Sequence, residues 1–266
     1  MTTALLGVGV MGETILKGLL AAGTDPSGLR VTTRRASRQA RLRDKYGVVT
    51  AGNAEAVRDA DTVLIIVKPQ DVPDVLREIA AVLRPGALIV SLAAGVETAT
   101  LEACLPAGCP VVRVMPNTPA SVGEGMAAIS AGSHATQDHL NRVTGILAAV
   151  GQVVVVPEKY QNAVTAISGS GPAYVMFVAE AMIDAGVLLG LPRSVASELV
   201  VQTVFGAAKL LRDSGEHPTV LRENVTSPGG TTAAALRAFE DHRVKAAFMD
   251  AMEAACHRSE ALGQAS

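Results

Sequence analysis

A loop near the C-terminal end of the chain has the composition of a binding site for a small carboxylate. Residues 227–232 contain a proline and two glycines between Ser227 and the pair Thr231-Thr232, and an alanine-rich helical pattern follows. Unpaired backbone N–H groups and the helix dipole favour an anion at such a helix N-terminus. A loop with ordinary threonine capping has the same composition, so this stretch alone leaves both interpretations open.

A glycine motif near the start of the chain is a second candidate for anion chemistry. An apolar run at residues 4–6 leads into Gly7-Val8-Gly9-Val10-Met11-Gly12, and apolar residues then recur at helical spacing. In this setting Gly7 allows a tight turn, Gly9 lets a pyrophosphate approach the backbone, and Gly12 lets the helix pack closely on the strand. The motif predicts dinucleotide binding. The alternative is a glycine-rich turn that serves packing only.

The end of the predicted second strand indicates which nicotinamide cofactor is preferred. An NAD-specific enzyme places an acidic residue there for the ribose 2′-hydroxyl, but this chain has Thr33-Arg34-Arg35. A hydroxyl and guanidinium groups can hold a 2′-phosphate by charge-assisted bonds, so we predict NADPH over NADH. The alternative is that both arginines are solvated helix charges. We expect solvated charges at the arginines further along this helix, which are Arg38, Arg41 and Arg43.

An alternation of strands and helices must bring these residues together. A nearly all-apolar run at residues 62–67, typical of a parallel strand covered on both faces, stops at Lys68-Pro69. Another run at residues 87–91 stops before Ala93-Ala94-Gly95. Because a cofactor lies outside the carboxyl ends of the strands in an open α/β sheet, both stops are expected beside the glycine motif.

At two further positions on this predicted edge of the sheet, the sequence leaves two interpretations open. Asn53 begins a short helical pattern, where it is either an N-cap or a cofactor contact. Met115-Pro116-Asn117-Thr118-Pro119 follows another strand, where it is either a loop facing substrate or nicotinamide or a proline turn without function.

The length of 266 residues suits two domains. We expect an α/β fold, with a Rossmann-like, doubly wound and mostly parallel sheet in residues 1–157 that binds the dinucleotide. We expect residues 158–266 to form an all-α domain for dimerisation and substrate binding. The helical pattern at residues 173–189 is apolar on nearly every face, so it must be buried on nearly every face. A second copy of the chain would supply that burial, which predicts an intertwined homodimer.

Composition narrows the class of protein further. Lys plus Arg (23) nearly balances Asp plus Glu (25), so no charge footprint indicates nucleic acid or an anionic membrane. The three cysteines lack paired CxxC spacing, so neither a disulfide framework nor a metal site is suggested, and we expect inert thiols. Met1 leads almost directly into a strand, without a basic or long apolar leader, and we therefore expect a cytoplasmic protein.

Taken in order, five motifs make the chain similar to pyrroline-5-carboxylate reductases across both predicted domains. They are Gly7-Val8-Gly9-Val10-Met11-Gly12, Val67-Lys68-Pro69-Gln70, Met115-Pro116-Asn117-Thr118-Pro119, Ser168-Gly169-Ser170-Gly171-Pro172-Ala173-Tyr174 and Asn224-Val225-Thr226-Ser227-Pro228-Gly229-Gly230-Thr231-Thr232. The first motif is shared with many dehydrogenases, whereas the last two together are specific to that family. The resemblance implies reduction of a cyclic imine to L-proline with NADPH or NADH, in homodimers that can assemble into decamers.

The resemblance also assigns site residues. It implies cofactor contacts at Gly7, Val8, Gly9, Val10, Met11, Gly12, Thr33, Arg34, Asn53, Val67, Lys68, Pro69, Ala93, Ala94, Gly95 and Asn224. It implies substrate contacts at Glu158, Ser227, Gly230, Thr231 and Thr232, and Thr165 matches a hydroxyl proposed in the family as a proton donor. From the chemistry of the loop, we expect the backbone N–H groups of Gly230, Thr231 and Thr232 to bind the substrate carboxylate.

Two rival functions remain at this point. A β-hydroxyacid dehydrogenase has a similar domain pair, but it uses a lysine on the first helix of its second domain, with an asparagine four residues on. Here Lys159 precedes that helix. The other rival is a non-catalytic NADPH-binding regulator, which has no evident need for a carboxylate-binding loop.

Overall fold

The N-terminal part of the chain folds around one sheet in the computed structural model, which describes residues 1–264. The strands of the sheet are β1 (Thr3–Leu6), β2 (Leu29–Val31), β3 (Val49–Thr50), β4 (Thr62–Ile65), β5 (Leu88–Ser91), β6 (Val111–Met115), β7 (Gly125–Ala131) and β8 (Gly151–Val155). Their order across the sheet is β3-β2-β1-β4-β5-β6-β7-β8. Neighbouring strands pair in parallel except β6 and β7, which are antiparallel. The predicted mostly parallel α/β sheet is therefore confirmed.

Both faces of this sheet are covered. The helices between the strands are α1 (Val10–Ala21), α2 (Ala36–Tyr46), α3 (Asn53–Val57), α4 (Val72–Ala80), α5 (Thr98–Ala103) and α6 (Gln137–Leu147). Side chains alternate along a strand, so Leu5 of β1 lies in one apolar cluster while Ala4 and Leu6 lie in the other. The first cluster includes residues of α1, α2 and α6, and the second includes residues of α3, α4 and α5. This is the doubly wound arrangement predicted from the apolar runs.

The rest of the chain is helical as far as residue 264, which confirms the predicted all-α C-terminal part. Its helices are α7 (Gln161–Val164), α8 (Gly171–Leu188), α9 (Arg193–Ser214), α10 (Pro218–Asn224), α11 (Thr231–Asp241) and α12 (Val244–Gln264). A π-helical turn, Thr165–Gly169, joins α7 to α8. The short helix α10 and the short strand β3 have too few residues to show a periodic pattern, so the sequence does not predict them.

The C-terminal helices expose an unusual amount of apolar surface in the single chain. None of the residues of α8 is buried, and Met176, Phe177 and Leu188 are 67%, 72% and 87% exposed. By length and composition alone, Glu158–Leu188 and Arg193–Ser214 are apolar enough to cross a bilayer. A large apolar surface of this kind is also what an obligate dimer buries.

Internal contacts divide the chain into two compact units. The first unit contains Met1–Ser170 together with the end of the chain from Ala255, and the second contains Gly171–Ala254. This division differs from the predicted boundary after Pro157 because residues beyond that proline pack on the sheet. Gln161 is fully buried and donates to Ser130 Oγ of β7 at 2.8 Å. The predicted boundary stays a prediction about functional domains.

The three cysteines Cys104, Cys109 and Cys256 are free thiols in the part of the chain that the structure describes. Burial, with a smaller contribution from the charge of Glu102, raises the pKa of Cys109 to about 11. Because the thiolate is the reactive form, this agrees with the prediction of an inert thiol at that position.

Candidate active site

The glycine motif forms the turn between β1 and α1. Gly7 has a φ of +80°, and a Cβ there would overlap the side chain of Val67. Among the residues that the structure describes, a Cβ at Gly9 would meet only the carbonyl oxygen of Gly7, at 3.9 Å, so the space above this residue is open. Gly12 is buried, and a Cβ there would lie 3.3 Å from Ile66 Cδ1. The turn therefore has the tight geometry and the open face that fit a pyrophosphate.

The other residues of the motif fix the turn and start the helix. Val8 is buried, and its N–H donates to the Thr32 carbonyl at 2.8 Å. Met11 is half-buried and packs against the core, whereas Val10 is 82% exposed. Within the described chain, α1 begins after Gly9 without a side-chain cap. Its first N–H groups thus face no capping side chain and can donate to an anion.

An open cavity of about 760 Å³ lies beside this turn. A chain of hydrogen bonds supports its wall: Gly7 N–H donates to Thr32 Oγ1 at 3.2 Å, and the Thr32 hydroxyl donates to Asn53 Oδ1 at 2.7 Å. Asn53 Nδ2 then donates to Glu78 Oε2 at 2.8 Å. Asn53 lines the cavity, and the N-cap interpretation is wrong because Gly52 occupies the N-cap of α3 and the Asn53 side chain bonds elsewhere.

The predicted 2′-phosphate site lies at the end of this cavity where β2 stops. Thr33, Arg34 and Arg35 all line the cavity, and the Thr33 carbonyl accepts a hydrogen bond from Gln39 Nε2 at 2.9 Å. Arg34 is 83% exposed at its side chain, and its Nη2 lies 3.3 Å from Asp71 Oδ2. The hydroxyl and the guanidinium groups are thus together as predicted, but Arg34 already has a carboxylate partner.

Glu13 in the first turn of α1 is the centre of an ion-pair cluster. Arg38 and Arg41 approach its Oε2 at 2.9 and 2.6 Å, Lys45 approaches Oε1 at 3.8 Å, and the Tyr46 hydroxyl donates to Oε1 at 2.9 Å. Burial alone would raise the pKa of Glu13, but the bond from Tyr46 and the three positive charges outweigh it and lower that pKa.

This cluster corrects the prediction that Arg38 and Arg41 are simply solvated. Glu13 is 25 residues or more away in sequence and pairs with both of them. Arg38 is only 26% exposed, also donates to the Gly9 carbonyl at 2.9 Å, and lines the cavity. Arg43 is 59% exposed and pairs with the adjacent Asp44, so a surface role fits it.

The stretches after β4 and β5 lie at the same edge of the sheet as the glycine turn. Val67 and Lys68 line the cavity, and Pro69 begins a 3-10 turn that leads into α4. Residues 93–95 follow β5, where Ala94 is exposed and Gly95 has a φ of +79°. Ala93 is buried, and its N–H donates to Ser91 Oγ at 3.3 Å. Because β1, β4 and β5 are parallel neighbours, their carboxyl ends meet at one edge.

Glu158 holds the start of α5, just beyond residues 93–95. Its Oε1 accepts from Thr98 N at 2.7 Å and from Arg113 Nη1 at 3.1 Å, and its Oε2 accepts from the Thr98 hydroxyl. The Arg113 side chain is 5% exposed and that of Glu158 is 27% exposed. Both carboxylate oxygens are thus used within the protein, and the substrate-binding role of Glu158 stays a prediction.

Thr165 lies in the π-helical turn, a form often found at functional sites. Its hydroxyl donates to the Gln161 carbonyl at 2.8 Å. The loop after β6 supports this turn, because Asn117 Nδ2 donates to the Ser168 carbonyl and lies equally close, at 3.3 Å, to the Ser168 hydroxyl. Asn117 Oδ1 accepts from Met126 N at 2.8 Å. The contacts of Asn117 are therefore structural.

The carboxylate loop, residues 227–232, lies in the second unit and has the predicted form of a turn entering a helix. Gly229 has a φ of +68°, and in the part of the chain that the structure describes α11 begins after Gly230 without a side-chain cap. One expectation is corrected: the Gly230 N–H donates to the Ser227 carbonyl at 3.0 Å and closes the turn, so it is not available to a ligand. The N–H groups of Thr231 and Thr232 begin the helix and remain candidates. Asn224 is exposed at the end of α10.

The structure thus brings the predicted cofactor residues of the first unit to one edge of the sheet, with Glu158 and Thr165 in the same unit. The carboxylate loop and Asn224 belong to the other unit. Sequence reasoning missed Thr32, Glu13 and Asp71. The position of Thr32 at the end of β2 was a usable signal, whereas nothing local to Glu13 or Asp71 indicates its distant partner.

Two family models match separate parts of the chain. Residues 158–262 match a family described as "Pyrroline-5-carboxylate reductase dimerisation". Residues 2–95 match a family described as "NADP oxidoreductase coenzyme F420-dependent". The first match covers the carboxylate loop and the apolar helices, and the second covers the glycine turn and the cavity.

Full-length relatives agree with both matches. The chain is 44% identical to a pyrroline-5-carboxylate reductase of Corynebacterium melassecola, over 99% of each chain. A solved pyrroline-5-carboxylate reductase of Coxiella burnetii is 36% identical, with a TM-score of 0.94 over 98% of each chain. A Plasmodium falciparum pyrroline carboxylate reductase solved with NADP bound is 32% identical, with a TM-score of 0.88 over 99% of this chain and 98% of that one.

Proposed function

The chain belongs to the pyrroline-5-carboxylate reductase family, and from that premise we propose how its residues reduce 1-pyrroline-5-carboxylate to L-proline, the last step of proline biosynthesis. In this proposal the first unit holds the nicotinamide cofactor and the carboxylate loop holds the imine. The observation that carries it is the turn at Gly229, which leads into α11 without a side-chain cap, inside the segment that matches the family.

The cofactor proposed for this chain is NADPH, which supplies a hydride when bound; NADH is the alternative. The open face at Gly9 and the first N–H groups of α1 bind the pyrophosphate. Thr33 and Arg34 bind the 2′-phosphate, where an NAD-specific enzyme would have a carboxylate. The NADP-bound Plasmodium relative supports this choice. Asn53, residues 67–69 and residues 93–95 complete the cofactor side, and Asn224 stays a proposed contact.

The substrate is held by its carboxylate, which is its one strong hydrogen-bond acceptor. The N–H groups of Thr231 and Thr232 donate to it, and the Ser227 hydroxyl lies in the same turn. Gly230 contributes by being small, because a Cβ there would overlap the Ser227 hydroxyl. Hydride transfer requires the imine carbon close to the reduced pyridine, and fixing the ring at its acid group supplies that orientation.

The proton on the imine nitrogen comes from water before binding, so the site needs no strong acid. Thr165 fits this because its own proton is directed to the Gln161 carbonyl. Its lone pairs remain available to accept a hydrogen bond from the protonated imine. We therefore assign Thr165 to orientation of the imine N–H, in place of the proton donation expected from the family resemblance.

The active form is an oligomer. The family match over residues 158–262 is to a dimerisation domain, and the exposed apolar faces of α8 and α9 are surfaces that a second copy would bury. Assembly of five dimers into a decamer, and a cytoplasmic location, are the finer proposals that follow from the family.

The position of Lys159 opposes one rival function, a β-hydroxyacid dehydrogenase, and an activity assay separates the other. Lys159 lies in a 3-10 turn before α7, is exposed, and places its Nζ 5.1 Å from the centre of the Tyr160 ring. It is therefore not the inward-facing base that a β-hydroxyacid dehydrogenase requires. A regulator would not consume substrate. Mixing the protein with 1-pyrroline-5-carboxylate and NADPH tests the proposal: loss of NADPH absorbance with formation of proline supports it, and an unchanged absorbance contradicts it.

A further inference from the structure

Arg34 and Asp71 form an ion pair inside the cofactor cavity, at the position proposed for the 2′-phosphate. Both side chains line the cavity, and Arg34 Nη2 lies 3.3 Å from Asp71 Oδ2. The Arg34 side chain is 83% exposed, so it can turn toward a ligand, whereas that of Asp71 is 31% exposed. A phosphate that binds Arg34 must therefore replace or share this carboxylate.

The Asp71 carboxylate has no other partner among the described residues. Asp71 occupies the N-cap of α4, where an aspartate ordinarily accepts a hydrogen bond from the second or third N–H of the helix. Its backbone is in the helical region (φ −90°, ψ −10°) and not in the extended region that capping uses, and no cap bond forms. Pro73 also removes the second N–H donor. The carboxylate is thus directed to Arg34.

We propose that Asp71 sets how strongly this enzyme prefers NADPH over NADH, by competing with the 2′-phosphate for Arg34. The inference rests on the proposed 2′-phosphate site at Thr33 and Arg34. NADH has no phosphate there, so its binding leaves the pair intact. NADPH must break the pair and bring a doubly negative group near the released carboxylate. Asp71 therefore lowers the affinity for NADPH alone.

The competition predicts a selective gain when the charge of Asp71 is removed. An exposed ion pair changes an equilibrium by less than about fivefold, and relief of repulsion between Asp71 and the phosphate adds to that. We expect Asp71→Asn to tighten binding of 2′,5′-ADP about three- to tenfold and to leave 5′-AMP within about twofold. The ratio of kcat/KM for NADPH to that for NADH should rise by a similar factor.

Calorimetric titration of the full-length protein with 2′,5′-ADP and with 5′-AMP tests this without turnover. The matched control is Asp74→Asn, which removes the same charge three residues further on, from a carboxylate that also lines the cavity but pairs with Arg77, at 2.8 Å, and not with Arg34. Asp74→Asn should change the ratio of the two affinities clearly less than Asp71→Asn does, because it relieves repulsion without releasing Arg34. A double-mutant cycle with Arg34→Ala completes the design, because Asp71→Asn should have no selective effect once Arg34 is absent.

Two results would overturn the inference, and they are distinguishable. If Arg34→Ala weakens 2′,5′-ADP but Asp71→Asn does not tighten it, or Asp74→Asn tightens it equally, the competition is wrong and the 2′-phosphate site stands. If Arg34→Ala leaves 2′,5′-ADP binding unchanged, the proposed phosphate site fails and the competition fails with it.

Discussion

Substitution of Glu158 tests whether this residue binds substrate or stabilises the fold, because the sequence and the structure lead to different expectations for it. The family resemblance implies that Glu158 contacts substrate, whereas its carboxylate in the structure accepts three hydrogen bonds from Thr98 and Arg113. We predict that Glu158→Gln acts mainly on stability. The variant leaves the 5% exposed Arg113 guanidinium without its anionic partner.

The magnitude follows from the burial of the pair. Breaking a buried ion pair by removing one partner costs about 3–5 kcal/mol, and we reduce this to about 2–3 kcal/mol because Glu158 is 27% exposed. For a chain of this size, each kcal/mol lowers Tm by about 2–4 °C. We therefore expect a Tm lower by about 4–12 °C for Glu158→Gln, measured at a fixed protomer concentration because dimer dissociation contributes to unfolding.

Kinetics and a double variant separate the two roles of Glu158. If the residue fixes the chain beyond residues 93–95, the KM values for imine and NADPH should rise together. The double variant Glu158→Gln with Arg113→Met should recover at least half of the lost Tm, since it removes both charges. An unchanged Tm with a higher KM for the imine alone would refute this reasoning and favour direct substrate contact.

Three further predictions follow from single residues. Gly230→Ala should raise the KM for the imine at least about tenfold and leave NADPH binding unchanged, because the new Cβ displaces the Ser227 hydroxyl. The control Gly145→Ala, in open space within α6, should be as active as the parent and more stable by about 0.5–1 kcal/mol. Equal KM values for the imine in both variants would show that the carboxylate loop does not bind substrate. Glu13→Gln should lower Tm near neutral pH, because the folded state lowers the pKa of Glu13 below its ordinary value of 4.5. The difference in Tm between variant and parent should vanish as pH falls through that lowered pKa. A Tm difference that persists at about pH 2 would contradict the ion-pair account. Thr165→Val should reduce kcat by less than about tenfold, whereas a loss of about a hundredfold would restore the proton-donor role.

The fold was largely accessible from the sequence because it depends on periodicity. Near-continuous apolar runs marked β4 and β5 as parallel strands covered on both faces, and the spacing of Gly7, Gly9 and Gly12 marked the turn between β1 and α1. The apolar character of α8 likewise predicted a surface that the single chain does not bury.

The errors arose where a side chain or backbone group bonds to a partner that no local pattern reveals. Arg38 looks like a solvated helix charge until the fold brings Glu13 beside it. Asn53 looks like the N-cap of α3 in the sequence, but α3 already begins at Asn53 and Gly52 is its N-cap. The Gly230 N–H looks free until the turn closes on the Ser227 carbonyl. Such pairings depend on exact three-dimensional geometry, which spacing alone does not determine.

The central claim is that the substrate is held by its carboxylate, and comparison of 1-pyrroline-5-carboxylate with 1-pyrroline tests it most directly. The two rings carry the same imine and differ only in the acid group. With NADPH saturating, we predict that kcat/KM for 1-pyrroline is lower by about a hundredfold or more, the loss expected for two charge-assisted hydrogen bonds. Equal kcat/KM values for the two imines would contradict the account.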